Sequence, residues 1–389
     1  MKTTWSLLIG CLFGIIPISI AQTSGTKQAS GAKSIDWEAS YLGETFANLR
    51  GGRQTGANYL GVLNLAAEYS LKDLIKWRGG RLILNVMNIH GSSISELIGD
   101  DLLASNIDAQ PSTRLQNLFL QQELLDSTLI LRVGKQAIDE EFLTTEFSNL
   151  FLHMAAAYPF TLSFNAAPWP AAALGITSSW HLHKKWTFHA GFLNADPNIP
   201  DETINRTGLK TYLRPSGYLL IAEASHHMER SFARLGVMHD TNPYQDRFGT
   251  THQGMTALYL TADVPLIDLK SGQAGTIALF ATVSSALQWN IAPIDLDIRG
   301  ALVWTKLHDK LKKSQLGLGY FFPRVGDAAQ TEPTLPIRTE QFTEITYRLS
   351  CTDHIEIQSS LQYIIHPGGA SGHTIPSAWV AAFRLGITL

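Results

Sequence analysis

The stretch from Trp379 to Leu389 constrains the fold more than any other part of the chain. Trp379, Ala381, Phe383, Leu385, Ile387 and Leu389 share one face of a strand, while Val380, Ala382, Arg384, Gly386 and Thr388 share the other. Alternation over about ten residues is the length a tilted strand needs to cross the hydrocarbon core. Strands of a soluble sandwich are about half as long. An apolar face with aromatic residues toward one end suits lipid, and a face mixing Arg384 with small residues suits water. The expected element is a membrane-crossing last strand that ends at the C-terminus.

The same period recurs upstream. Ile355, Ile357, Ser359, Leu361 and Tyr363 alternate with Glu356, Gln358, Ser360 and Gln362, and Thr343, Ile345, Tyr347 and Leu349 with Glu344, Thr346 and Arg348. Trp186, Phe188, Ala190 and Phe192 oppose Thr187, His189 and Gly191; Tyr59, Leu63, Leu65 and Tyr69 oppose Asn58, Asn64 and Glu68. Shorter runs at 128–133, 218–224, 297–304 and 315–320 repeat the pattern. The predicted fold class is all-β, a transmembrane antiparallel β-barrel. Sixteen strands leave about 23 residues per strand and connection, room for short and long connections in turn, and the number is even as bacterial barrels require. Fourteen and eighteen fit the same arithmetic nearly as well.

Composition agrees without deciding. Hydrophobic residues make up 45% and charged ones 16% of 389 residues, well below the usual charged share. The formal charge of −3 excludes a strongly basic nucleic-acid binder. Residues 1–21 read as a cleaved signal peptide, with Lys2, an apolar run from Leu7 to Ile20, and the small-x-small signal Ser19-Ile20-Ala21. Cys11 lies inside that apolar run, so cleavage after Ala21 is preferred over lipidation. Residues 22–35 form a polar, flexible lead-in and residues 36–389 the barrel. Cys351 is then the only mature cysteine, so the fold cannot depend on an internal disulfide.

Three stretches break the alternation. Leu71 to Trp77 has apolar residues at helical spacing. Asp139 to Tyr158 opens with three acids and continues into an apolar run, and Pro168-Trp169-Pro170 stops any ladder nearby. One of these long connections is expected to fold inward and narrow the lumen. Asp139, Glu140 and Glu141 read as a solvated acidic loop rather than as acid–base catalysts. His181, His183 and His189 surround a tight turn at Lys184-Lys185 without Cys or a neighbouring carboxylate, which favours a hairpin over a metal site. No nucleophile elbow, phosphate loop or metalloprotease signature appears, so neither enzyme nor cofactor is expected.

Several segments together resemble the carbohydrate-selective porin family, the OprB-like outer-membrane porins. They are Gly51-Gly52-Arg53 with Tyr59-Leu60-Gly61, Asp73-Leu74-Ile75-Lys76-Trp77, Asn88-Ile89-His90-Gly91-Ser92-Ser93, Ile98-Gly99-Asp100 and Ser105-Asn106-Ile107. They continue through Leu131-Arg132-Val133-Gly134-Lys135, Glu141-Phe142, Phe147-Ser148-Asn149-Leu150-Phe151-Leu152, Leu361 to Gly369 and Arg384-Leu385-Gly386. The resemblance spans residue 36 to the end. It implies a sixteen-stranded barrel in the outer membrane of a Gram-negative-type bacterium, passing glucose and related sugars by diffusion. Outer-membrane lipid and the barrel assembly machinery are the implied partners, nucleic acid is not, and a homotrimer is left open. Two departures stand out: Leu389 replaces a terminal Phe or Trp, and His366 replaces Asn before Pro-Gly-Gly.

A pore tuned for hexoses needs planar donors, balanced charge and aromatic faces. The inward-phase candidates are Glu44, Glu68, Glu223, Glu344 and Glu356 with Arg81, Arg114, Arg132, Arg234, Arg299, Arg348 and Arg384. Glu44, Arg81, Arg114 and Arg132 are favoured as surrounding the narrowest point, Glu223, Glu344 and Arg348 as lining the pore, and Trp169 as the aromatic contact. The competing reading is that these charges pair with one another and only hold the wall together. A general diffusion porin and a non-conducting barrel with a surface-binding or structural role are the alternative functions.

Overall fold

A computed structural model describes residues 35–143, 145–162, 167–196, 198–199, 203–269, 275–307, 313–329 and 338–389, without the side chains of Asp73 and Leu162. The signal peptide and nearly all of the lead-in lie outside these residues. Sixteen antiparallel strands close on themselves. In chain order they are β1 (Ile35–Arg50), β2 (Gly56–Ser70), β3 (Gly80–Gly91), β4 (Ser112–Leu124), β5 (Leu129–Gln136), β6 (Ala173–His183), β7 (Trp186–Ala195) and β8 (Gly217–His227). The second half comprises β9 (Phe232–Gln245), β10 (Thr251–Leu269), β11 (Gly275–Ala286), β12 (Ile294–Thr305), β13 (Ser314–Val325), β14 (Gln341–Ser350), β15 (Ile355–Ile365) and β16 (Ala378–Thr388).

Each strand pairs with its chain neighbour, and β1 meets β16 from Ser40↔Thr388 to Asn48↔Val380. Closure joins the first and last strands so that neither is left as a sheet edge, which is what lipid demands. Among the described residues, no helix is long and apolar enough to cross a membrane. The helical spacing at Leu71 becomes the single turn Leu71–Ile75. Connections at the end carrying the termini are mostly short, such as Lys184–Lys185 and 228–231, while 92–111, 137–172 and 196–216 at the other end are long. Bacterial barrels show this asymmetry between periplasmic turns and extracellular loops.

The alternation of β16 is realised as expected. Trp379 and Phe383 face outward and are 42% and 50% exposed, whereas Val380 and Arg384 are buried on the inner face. Outward Trp180, Phe188, Ile298, Leu318 and Tyr320 continue the apolar surface around the barrel. The inner face departs from a purely polar wall. Phe46, Tyr259, Phe280, Phe321, Phe342, Ile364 and Val380 also point inward and are almost completely buried. They pack against Phe142, Leu150, Phe151, Leu152 and Met154 of the 137–172 connection. That long loop has entered the barrel and built a hydrophobic core within it.

The seam is fixed by a cross-strand pair. Glu44 and Arg384 stand opposite each other in register, their side chains form an ion pair, and both are buried. Ser105 Oγ donates to the same carboxylate at 2.6 Å. Removing one member of a buried pair leaves an uncompensated charge, a cost of ~3–5 kcal/mol, whereas replacing both by apolar groups is often neutral. We therefore expect Arg384→Met to lower the temperature of the heat-modifiable gel transition sharply, and Glu44→Leu/Arg384→Met to recover most of it. Equal loss in single and double variants would contradict this account.

Candidate functional site

An inward loop brings main-chain N–H groups into a low-dielectric interior, where each needs an acceptor. The wall supplies carboxylates on alternate strands. Glu223 on β8 accepts from Leu143 N at 3.2 Å, and Asp263 on β10 from Phe147 N at 3.2 Å and Thr145 Oγ1 at 2.9 Å. Asp297 on β12 accepts from Phe160 N at 2.8 Å. Glu344 on β14 accepts from Leu152 N at 2.9 Å and His153 N at 3.0 Å. Gln358 on β15 donates in turn to the Leu150 carbonyl at 2.6 Å, and Gln362 ties down the 92–111 connection through the Ala104 carbonyl at 2.9 Å. The loop is thus tied to the wall at spaced points, with charge-assisted bonds that fix its position.

The arginines act in the same frame. Arg234 Nη1 reaches Glu223 at 2.8 Å and the Glu141 carbonyl at 2.7 Å, and Tyr259 OH donates to Glu223 at 2.7 Å. Arg299 chelates Asp297 and donates to the Tyr158 carbonyl. Arg348 bonds Gln315 and stands 3.8 Å from Glu356. Arg81 lies at the turn end of β3, where it reaches Glu68 and, at 3.1 Å, Glu123. That position is on the periplasmic rim, away from the inward loop. Arg114 is buried on the inner face, in register with Met87.

Arg132 differs from these. Its Nε donates to Gln121 Oε1 at 3.0 Å and its Nη1 to Glu141 at 3.4 Å. The guanidinium carbon stands 5.5 Å from the Phe119 ring centroid. Nη2 has no partner among the described residues and is not among the fully buried polar atoms. Three contacts therefore orient a planar fork whose remaining nitrogen meets water. Beside it, Glu141 also accepts from Thr177 Oγ1 at 2.9 Å and contacts His189 Nδ1 at 3.4 Å.

On the same side of the barrel, two strands from β5 in the sheet order, Trp169 packs on the cluster of Leu60, Val62, Met87 and Ile89 of β2 and β3. Its backbone N–H donates to both oxygens of Asp139, at 3.1 and 3.2 Å. The three consecutive acids are therefore not a solvated loop, contrary to the sequence-based expectation. Burial pushes the Asp139 carboxyl up to about 6 against the pull of the Trp169 N–H, and pushes Glu140, which accepts from Asn117, up to about 8. Burial acts on Glu141 too, but Arg132 and His189 outweigh it and bring its pKa down to about 2. Three adjacent acids normally seek water, and the wall residues that enclose these are distant in sequence. Asp263, Asp297 and Tyr259 were missed for a related reason, since their partners become visible only once the loop is inside. Among the described residues, no group of three His, Cys, Asp or Glu side chains lies within reach of one ion.

The raised Glu140 carboxyl has a defined pH signature. Between the ordinary carboxylate value of ~4.3 and about 8, the folded protein holds a proton that the unfolded chain has released. Stability therefore falls with pH across that window and levels off above it. We expect Glu140→Gln, neutral throughout, to flatten the decline in unfolding temperature measured from pH 5 to 9. Identical slopes in variant and wild type would show that Glu140 ionises freely.

Comparison with known proteins places this architecture. The chain is 20% identical to Porin B of Pseudomonas aeruginosa, with 97% of this chain and 96% of that protein covered. It is similar to the high-pH structure of Pseudomonas putida OprB, at 18% identity and a TM-score of 0.81, covering 92% of this chain and 94% of the other. The OmpF porin of Salmonella typhi, in complex with daunomycin, shares the fold at a TM-score of 0.59 and 8% identity, over 91% and 97% of the two chains. The sequence profile of the family described as "Carbohydrate-selective porin, OprB family" matches residues 54–389. The chain belongs to that family of outer-membrane porins.

Proposed function

We propose that this porin passes glucose-type mono- and disaccharides by passive diffusion, and that Arg132 and Trp169 provide the sugar contacts, while the buried Arg114 belongs to the inner wall beside them. The observation that carries this reading is the orientation of Arg132. With Nε and Nη1 fixed by Gln121 and Glu141 and Phe119 nearby, its open nitrogen is held ready for a hydroxyl. Little rotamer entropy remains to be lost when a sugar arrives. Charges of both signs stand around it, so the field selects weakly among ions while the donors still bind hydroxyls. Trp169 adds an aromatic face that suits the apolar side of a pyranose ring.

Glu44, Glu223, Glu344 and Arg348 line the interior and hold the inward loop or the wall, and Arg81 serves the periplasmic mouth. Binding of this kind is weak enough to permit exit, and no energy source takes part. Export is proposed to proceed through cleavage after Ala21, with insertion by the barrel assembly machinery into outer-membrane lipid.

Purified protein in planar bilayers or liposomes should pass glucose and maltose faster than amino acids of similar size. Equal rates for all small solutes would reduce it to a general diffusion porin, and absence of conductance would leave a structural barrel. Arg132→Ala should weaken sugar block of ion current by about tenfold, the scale of one hydrogen bond to a charged group, with the yield of folded barrel little changed. Lost yield with unchanged sugar affinity would make Arg132 a structural residue.

A further inference from the structure

The long connection between β7 and β8 does more than join two strands. The β4–β5 ladder stops at Leu118↔Lys135, while β4 continues upward to Ser112, so an edge of β4 stands without a strand beside it. Residues of this connection cover it. Leu115 N donates to the Thr207 carbonyl at 2.9 Å, Arg206 Nε to the Pro111 carbonyl at 3.0 Å, and Asn194 Nδ2 of β7 to the Tyr212 carbonyl at 2.6 Å. The segment therefore runs from β4 to β7 above the ends of β5 and β6 and completes the wall. Gly208 is needed for this approach: its φ is +66°, and a Cβ there would stand 2.2 Å from the Leu115 carbonyl oxygen.

Asn205 and Gly208 are buried and Tyr212 is half-buried against the hydrophobic cluster, while the other residues from Arg206 to Arg214 are exposed. Leu209 and Leu213 are 64% and 82% exposed. Arg206, Lys210 and Arg214 are exposed beside them, and none makes an ion pair with a described residue. From Thr203 to Ser216 the sequence contains these three cations and no acid. The level of the segment is marked by Asn194, two residues beyond the outward Phe192, which stacks on Tyr218 at 4.9 Å. Aromatic girdles of this kind mark the boundary between acyl chains and headgroups.

Leucines beside cations at that boundary match a lipid whose headgroup is anionic. We propose that residues 206–214 bind a phosphate-bearing glycolipid of the outer leaflet, with Leu209 and Leu213 in the acyl layer and Arg206, Lys210 and Arg214 on the phosphates. The site is separate from the lumen and independent of which solute passes through it.

The test uses full-length protein in neutral detergent, titrated with bis-phosphorylated lipid A and with its dephosphorylated form, with bound lipid read by native mass spectrometry. Wild type should prefer the phosphorylated lipid, and Lys210→Gln/Arg214→Gln should weaken that binding by about tenfold or more, as loss of two cations near an anionic surface implies. Neither of these side chains has a described hydrogen bond, so heat-modifiable migration and conductance should be unchanged. Leu209→Ser/Leu213→Ser should also weaken binding, as a lipid requires. Wild-type affinity in either double variant, no preference between the two lipids, or displacement by millimolar inorganic phosphate would overturn the assignment.

Discussion

Closure of the β1–β16 ladder is the constraint on which the rest depends. In lipid no water completes an unpaired N–H or C=O, so a sheet survives only if its first and last strands meet. Closure fixes which face of every strand meets lipid, and so turns period-two alternation into an apolar outside and an inside open to other uses. The Glu44–Arg384 pair lies on that inside, at the seam. Its orientation follows from the register that places Trp379 and Phe383 outward. One choice of phase at the last strand thus determines the character of both surfaces.

The inside is then divided between two tasks. Part of it is hydrophobic core, because the 137–172 loop carries Leu150, Phe151 and Leu152 into contact with wall residues such as Phe321 and Phe342. The loop backbone cannot be buried this way without acceptors, and Glu223, Asp263, Asp297 and Glu344 meet that need from alternate strands. A carboxylate satisfied by several N–H donors is firmly held and has little capacity left for a passing solute. Arg132 sits where this network ends, oriented by its neighbours yet not saturated by them. In the proposed function, structural pairing and sugar contact are complementary roles of one charged interior, filled by different residues.

The same division explains what was legible in the sequence. Strands β2, β7, β15 and β16 were readable because one face is apolar and the other polar. Strands β10 and β11 were not, since Tyr259 and Phe280 point inward and blur the alternation. Apolar residues on both faces read as a buried strand or as nothing, and only the incoming loop gives the inner ones a reason. For the site, residue type and phase identified the inward charges, but not which of them pair. Glu141 and Arg132 are near in sequence, whereas Glu344 and Leu152 are far apart, and no local pattern connects the latter.

The shortness of β5 ties these observations together. The strand ends at Gln136 because the chain there turns into the lumen, and that turn delivers the three acids and the apolar run that fill the interior. A strand that stops early leaves its neighbour uncovered, and a free edge in a membrane wall is not tolerated. The β7–β8 connection must therefore reach back to Leu115, which sets Leu209, Lys210, Leu213 and Arg214 against the surrounding lipid. Constriction on the inside and a cationic, apolar segment on the outside are two consequences of a single event in the chain, the departure of β5 from the wall.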